Sequence, residues 1–151
     1  LSLASERSGW KLVASDIYEP TLEVAKFNAE EHDIENVEFV LGSWLKPFGR
    51  QFFDVIASNP PYIDANDAHM KDLATEPERA LVSAKNGLAD IEEIIVQAKN
   101  HLTVNGWVVL EHGYDQADAV QHLFRQAGYK QVRTVKDYGG NDRVTLGCWP
   151  H

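Results

Sequence analysis

Phe52-Phe53-Asp54-Val55-Ile56-Ala57-Ser58, followed at once by Asn59-Pro60-Pro61-Tyr62, decides how this chain folds. The first seven residues form an apolar run of strand length. Two consecutive prolines then end any ladder, because neither carries a backbone N–H. The stretch predicts a buried strand that stops in a rigid loop. Towards the N-terminus, residues 1–8 have helical character and stop at Gly9, and Trp10 to Ser15 reads as a short buried strand ending at Asp16. Glu19-Pro20 opens a helix that carries Leu22, Ala25, Phe27 and Ala29 and runs to about His32, and Val37 to Leu41 is the next strand. Towards the C-terminus, residues 63–87 form a long polar connection with Pro77 in its middle, closed by Gly87. Leu88 to Leu102 has apolar residues at helical spacing, Asn105-Gly106 predicts a turn, and Trp107 to Glu111 a strand. Asp115 to Gln126 predicts a helix ended by Gly128. Strands near residues 131–135 and 143–147 flank the turn Tyr138-Gly139-Gly140-Asn141 as a terminal antiparallel pair. This alternation predicts an α/β fold: one open, mostly parallel twisted sheet with helices on both faces, in a single domain over 1–151. Such sheets bind ligands at the C-terminal ends of their strands.

Composition narrows the function. With 151 residues, 44% hydrophobic and 25% charged, the chain can bury a core, and no apolar run approaches the roughly 20 residues of a membrane helix. No membrane association is expected. One cysteine, Cys148, excludes an intramolecular disulfide and points to a reducing, cytoplasmic setting. A formal charge of −9 argues against a broad phosphate-binding surface, so stable nucleic-acid binding is not expected. The six histidines show no metal-ligand spacing, so no metal is expected, and His69 and His112 read as surface or structural residues.

The chemistry concentrates at strand ends. Asp16 follows an apolar strand and precedes a helix, a place from which a carboxylate can take hydrogen bonds from both hydroxyls of a ribose, or can simply cap the helix. Asn59-Pro60-Pro61-Tyr62 is more specific. The prolines freeze the backbone so that the Asn59 amide and the Pro60 carbonyl point outward. An amide nitrogen is a poor nucleophile because its lone pair is delocalised. One side-chain and one main-chain carbonyl accepting its two N–H bonds can hold it in line with an activated methyl group. The ring of Tyr62 can stack on that flat group. Read blandly, the same run is a Pro-Pro turn capped by Asn.

These residues resemble a known family: class I methyltransferases with an Asn/Asp-Pro-Pro-Tyr/Phe motif, and more narrowly the HemK/PrmC-type release-factor glutamine methyltransferases. The narrower likeness lies in Pro61-Tyr62-Ile63, Glu76-Pro77 with Ala80-Leu81 beyond, Gly87-Leu88, Leu110-Glu111-His112-Gly113, and Asp137-Tyr138-Gly139 through Arg143-Val144. The resemblance implies a Rossmann-like fold and S-adenosylmethionine as cofactor. Asp16 would sit on its ribose, Trp44 and Ser43 at its adenine, and Asn59 near both cofactor and substrate. Asn59, Pro60 and Tyr62 would be catalytic, with Pro61 and Glu76 completing the substrate site. The implied substrate is the glutamine of the Gly-Gly-Gln loop in peptide-chain release factors, and the product N5-methylglutamine.

Two departures qualify the likeness. The family's glycine-rich loop after the first strand and its N-terminal helical domain have no counterpart in this stretch, so the chain is expected to be a partial catalytic domain without its first strand. In Gly42-Ser43-Trp44, serine stands where the family more often has aspartate before the aromatic, and it brings no charge. The rival readings are an adenine-N6 or guanine-N2 nucleic-acid methyltransferase using the same four residues on a flipped base, and an inactive binding fragment. Glu76 beside Pro77 can also be simply solvated, and Glu111 can serve only to satisfy backbone donors in the next loop. Trp10, Trp107 and Trp149 read as core or edge packing, and Arg143 as an ion-pair partner of Asp137 holding the terminal hairpin.

Overall fold

The computed structural model describes residues 1–61, 63–64, 82–83 and 87–151, which fall into two units, Leu1–Gly49 and Arg50–His151.

In the first unit, α1 (Ser2–Glu6) leads to β1 (Leu12–Asp16), α2 (Glu19–Glu31) and β2 (Val37–Leu41), and a single 3-10 turn spans Lys46–Phe48. β1 and β2 pair in parallel from Leu12↔Val37 to Asp16↔Leu41. Pro20 lies in the first turn of α2, where its missing N–H has no intrahelical partner to lose, and the helix packs Leu22 and Ala29 inward. The first strand begins two residues later than the sequence suggests. Trp10 is already committed elsewhere, its N–H to Arg7 and its carbonyl to the Asn36 amide, and its ring is 48% exposed instead of core. The same Asn36 nitrogen lies 3.0 and 3.1 Å from the Ala4 and Arg7 carbonyls, its two hydrogens shared among the three acceptors, tying the end of α1 to the start of β2.

The second unit holds β3 (Phe53–Ser58), β4 (Ile63–Asp64), β5 (Val82–Ser83), α3 (Ala89–Ala98), β6 (Leu102–Glu111), α4 (Ala117–Gln126), β7 (Lys130–Lys136) and β8 (Asp142–Cys148). Four strands join in the order β3-β6-β8-β7, with β3 and β6 parallel and the last two antiparallel, as the terminal pair requires. β4 and β5 form a separate two-residue parallel contact inside the segment read as a polar connection; the rest of that segment, 65–81 and 84–86, lies outside the described residues. The ladders thus lie in the two units rather than in one continuous run of paired strands.

Two further boundaries differ from the sequence reading. The helix expected to reach Leu102 ends at Ala98, and Leu102 opens β6. His101 turns the chain, its N–H bonded to Ala98 and its carbonyl accepting from Phe53, so Leu102 is buried from the strand. Asn105-Gly106, expected as a turn before the strand, is an irregularity within it. The register passes from Phe53↔Leu102 to Val55↔Trp107, Asn105 has φ 63°, and both residues exchange backbone bonds with Trp149. A Cβ on Gly106 would lie 2.9 Å from the Thr103 carbonyl, so only glycine fits.

The core of this unit sits between the sheet and α3 and α4. Ile91, Ile94, Ile95 and Ala98 make the buried stripe of α3, and Val120 and Phe124 that of α4, against Val108 and Leu110. Each large side chain buried this way stabilises by roughly 1.5–3 kcal/mol. Phe124 lies so close over β8 that a Cβ on Gly147 would be 2.7 Å from its ring. The Tyr129 hydroxyl donates to the Ile95 carbonyl at 3.0 Å, and burial pushes its phenol well above the usual range, so it serves as a fixed donor. No helix among the described residues is long and apolar enough to cross a membrane.

Candidate active site

β3 ends at Ser58, and the three residues after it separate sharply by burial: Asn59 is exposed, Pro60 fully buried and Pro61 half-buried. Pro60 anchors the turn in the packed interior and thereby fixes the direction of the residue before it. The Asn59 side chain makes no hydrogen bond with any described residue, so its amide is available to a ligand.

Strand pairing decides what faces it. Gly147 lies under Phe124 and pairs with Val108, and Thr145 pairs with Leu110, so these residues share the helix-covered face. The alternate residues Val109, Glu111 and Val144 point to the other face. There, with Ala57, Ser58 and Asn59, they line an open depression of about 290 Å³. Its walls are aliphatic, and its polar rim consists of Asn59, Ser58 and Glu111. The Glu111 side chain has no hydrogen bond among the described residues, so it does not serve the next loop's backbone donors as the sequence allowed.

Directly after Glu111, His112 is completely buried and held on every side. Its Nδ1 lies 2.8 Å from the Gly113 carbonyl, an acceptor only, which requires the proton on Nδ1. In the neutral ring Nε2 then accepts from the Thr145 hydroxyl at 2.8 Å. The line continues through Thr134 at 2.7 Å to the Gln121 amide at 2.8 Å and the Arg125 guanidinium at 2.6 Å. The His112 backbone exchanges two bonds with Arg143: its N–H donates to the Arg143 carbonyl at 2.9 Å, and its carbonyl accepts from the guanidinium at 3.2 Å. Arg143 also pairs with Asp137 at 3.3 Å, as its place beyond the terminal turn suggested. His112 is therefore the buried end of a polar network that fixes the strand end behind the depression.

In the first unit, Asp16 and the residues after β2 meet at the C-terminal end of the parallel pair. The Asp16 carbonyl accepts from Gly42, and its Oδ1 accepts the Tyr18 N–H at 2.8 Å, a local turn bond just before α2, which has no side-chain cap; Oδ2 is without a partner among the described residues. The Ser15 hydroxyl donates to the Trp44 carbonyl at 3.3 Å. Trp44 holds a left-handed φ of 48°, a conformation that costs roughly 1 kcal/mol in a non-glycine residue, and its ring is half-buried beside Ser43. A carboxylate oxygen that can accept from the hydroxyls of a diol, after β1, and an indole that can stack on a base, after β2, have the chemistry that the ribose and adenine of the expected cofactor would use.

A family model described as "Methyltransferase domain" matches residues 1–146. The chain belongs to the methyltransferase-domain family. Among curated relatives of this methyltransferase domain, the protein named release factor glutamine methyltransferase in Yersinia pestis is 50% identical over 97% of the chain. The match takes in 54% of that relative, so the chain spans about half the length of the curated relatives it matches. In three dimensions it superposes on a methyltransferase from Pyrococcus furiosus with a TM-score of 0.75 at 21% identity, covering 99% of this chain and 68% of that one. A Streptococcus mutans methyltransferase solved in complex with SAH gives a TM-score of 0.57 at 14% identity, over 91% of this chain and 75% of that one. Both likenesses place the fold among methyltransferases.

Within the methyltransferase domain, then, Asn59 lines the depression with Pro60 and Pro61 following it in the chain, and in the first unit Asp16 ends β1 while Ser43 and Trp44 follow β2, Trp44 bonded through its carbonyl to Ser15. Tyr62 and Glu76 lie outside the described residues. The sequence reading missed Ala57, Val109 and Val144 as walls, and it read His112 as surface or structural without the network that makes it structural. The alternation along β6 contained the first signal, but the second needed the strand order.

Proposed function

We propose that the protein containing this chain transfers a methyl group from S-adenosylmethionine to the side-chain amide nitrogen of a glutamine, in the Gly-Gly-Gln loop of a peptide-chain release factor in the cytoplasm. The observation that carries this reading is the Asn59 amide, exposed and without a partner among the described residues, beside a buried Pro60 at the edge of an aliphatic depression. The printed name of the Yersinia pestis relative supports the same substrate.

In this reading Asn59 Oδ1 accepts one N–H of the substrate amide, and the Pro60 carbonyl, which the sequence placed outward but which is buried in the structure, accepts the other once the substrate displaces what covers it. Both hydrogens are thereby directed away from the line of attack, and the nitrogen is held where its lone pair meets the incoming carbon. The aliphatic walls, Ala57, Val109 and Val144, offer apolar contact to the methylenes of the glutamine side chain. Tyr62 stacks on the amide plane, and Pro61 and Glu76 complete the substrate site. Asp16 takes the ribose hydroxyls, with Ser43 and Trp44 at the adenine. Bound S-adenosylmethionine supplies a methyl group on a positively charged sulfur. Transfer would break the sulfur–methyl bond as the nitrogen–carbon bond forms, and the nitrogen would give up one of its two protons to solvent to become the N5-methyl amide.

The test uses the full-length protein that carries this sequence, radiolabelled cofactor and a release factor, with peptide mass mapping of the product. Label on the glutamine, reduced roughly a hundredfold or more in Asn59→Ala, is the expected result. Label that appears on nucleic acid and not on release factor would replace the substrate with a base amino group.

A further inference from the structure

We propose that the β7–β8 turn, residues 137–141, is a docking element for the polypeptide substrate, with Tyr138 as its contact residue. This rests on the substrate being a protein loop, as proposed above.

Position is the first argument. Glu111 pairs with Val144, and both line the depression; two residues along β8, Asp142 pairs with Lys136 where the hairpin closes. The turn therefore rises from the same end of the sheet as the depression, on a strand that forms its wall.

Presentation is the second. Tyr138 is 113% exposed, more open than an extended reference chain, so its ring projects into solvent. A loose loop could present a ring this way by chance, but this turn is fixed. The Asp137 carboxylate accepts from the Gly139 and Asn141 N–H groups, both at 2.9 Å, and from Arg143. The Asp137 N–H donates to Asn141 at 2.8 Å, Gly140 donates back to Asp137 at 3.0 Å, and the Lys136 ammonium donates to the Gly140 carbonyl at 3.0 Å. Gly140 supplies the φ of 85° that this closure needs. An aromatic ring on a preordered backbone loses little entropy on binding, which is why tyrosine at a rigid tip makes an effective contact residue.

Charge indicates the partner. Lys136 is paired with Asp142 at 3.6 Å and Arg143 with Asp137, so both cations of the turn are already neutralised. A phosphate backbone needs free cations, whereas a neutral, hydrogen-bonding, aromatic tip suits a polypeptide. Arg143 then connects the tip to the His112 backbone, so docking at Tyr138 and the position of the depression are set by one rigid piece.

The experiment compares Tyr138→Ala, Tyr138→Phe and the parent full-length protein in steady-state methylation of release factor, with cofactor affinity by calorimetry as a check on folding. Tyr138→Ala should raise KM for the release factor roughly tenfold or more, leaving kcat and cofactor affinity within about twofold, and Tyr138→Phe should restore most of the KM. If the parent turns over release factor and Tyr138→Ala has the same KM, the docking role is wrong while the substrate stands. If the parent does not act on release factor at all, the substrate reading and the docking role fall together.

Discussion

The two units reach their shapes by different means. In Arg50–His151, four paired strands and two helices enclose Ile91, Ile94, Ile95, Val108, Leu110, Val120 and Phe124, each at most 2% exposed. In Leu1–Gly49, two strands and α2 bury only Ala4, Leu22, Ala29, Leu45 and Phe48, and Ile17, Val24, Phe27 and Leu41 remain more than half exposed. A two-stranded sheet on its own is marginal. The second unit thus holds Asn59 and the depression by packing, and the first holds Asp16 and Trp44 mainly by local hydrogen bonds. Equal chemical changes in the two should have unequal costs.

The largest effect is expected from Phe124→Ala, which empties the space over Gly147 and should destabilise the chain by about 3–5 kcal/mol in denaturant titration. A loss below about 1 kcal/mol would break the claim that packing dominates the second unit. Native-state hydrogen exchange should next show β1 and β2 amides opening with free energies at least about 2 kcal/mol lower than those of β6 and β8. Equal protection in both ladders would remove the contrast. Thr145→Val keeps the shape but strips the hydroxyl between His112 and Thr134, and should cost about 1–3 kcal/mol, against about 0.5–1 kcal/mol for Ser15→Ala, whose bond to Trp44 is exposed. The smallest effect concerns acid. The Asn141 N–H, with help from Arg143 and Gly139, holds the Asp137 carboxyl below its usual range. Because the folded value lies below the unfolded one, near about 4, its stabilisation is complete above that pH and is lost as pH falls through the folded value. Melting curves from neutral pH downward should show a shallower acid decline in Asp137→Asn than in the parent protein.

Much of the frame was legible because local chemistry and tertiary demand agree there. Val37–Leu41 is a strand by composition and in the structure, and the prolines after Ser58 end β3 as their missing N–H groups require. Leu102 misled because it continues the spacing of Ile91, Ile95 and Ala98, and periodicity cannot show that His101 has already turned the chain. Gly106 misled because a glycine after asparagine signals a turn, whereas here it permits a bulge that Trp149 fills. At the site, Asn59 and Pro60 could be read from their own run. The His112 network could not, since Thr145 reaches that ring, and Thr134 and Gln121 extend the line from Thr145, only because β8 lies between β6 and β7.

That strand order also bears on how the chain is made. β6 and β7 emerge before β8 yet touch only through it, so neither can complete its ladder until β8 has been synthesised and inserted between them. The β7–β8 hairpin is local, whereas the β6–β8 contacts are distant in sequence and form later. Val144, one wall of the depression, arrives on β8, so a nascent chain carries Asn59 well before that wall is in place. The depression and the β6–β8 ladder are closed by the same strand.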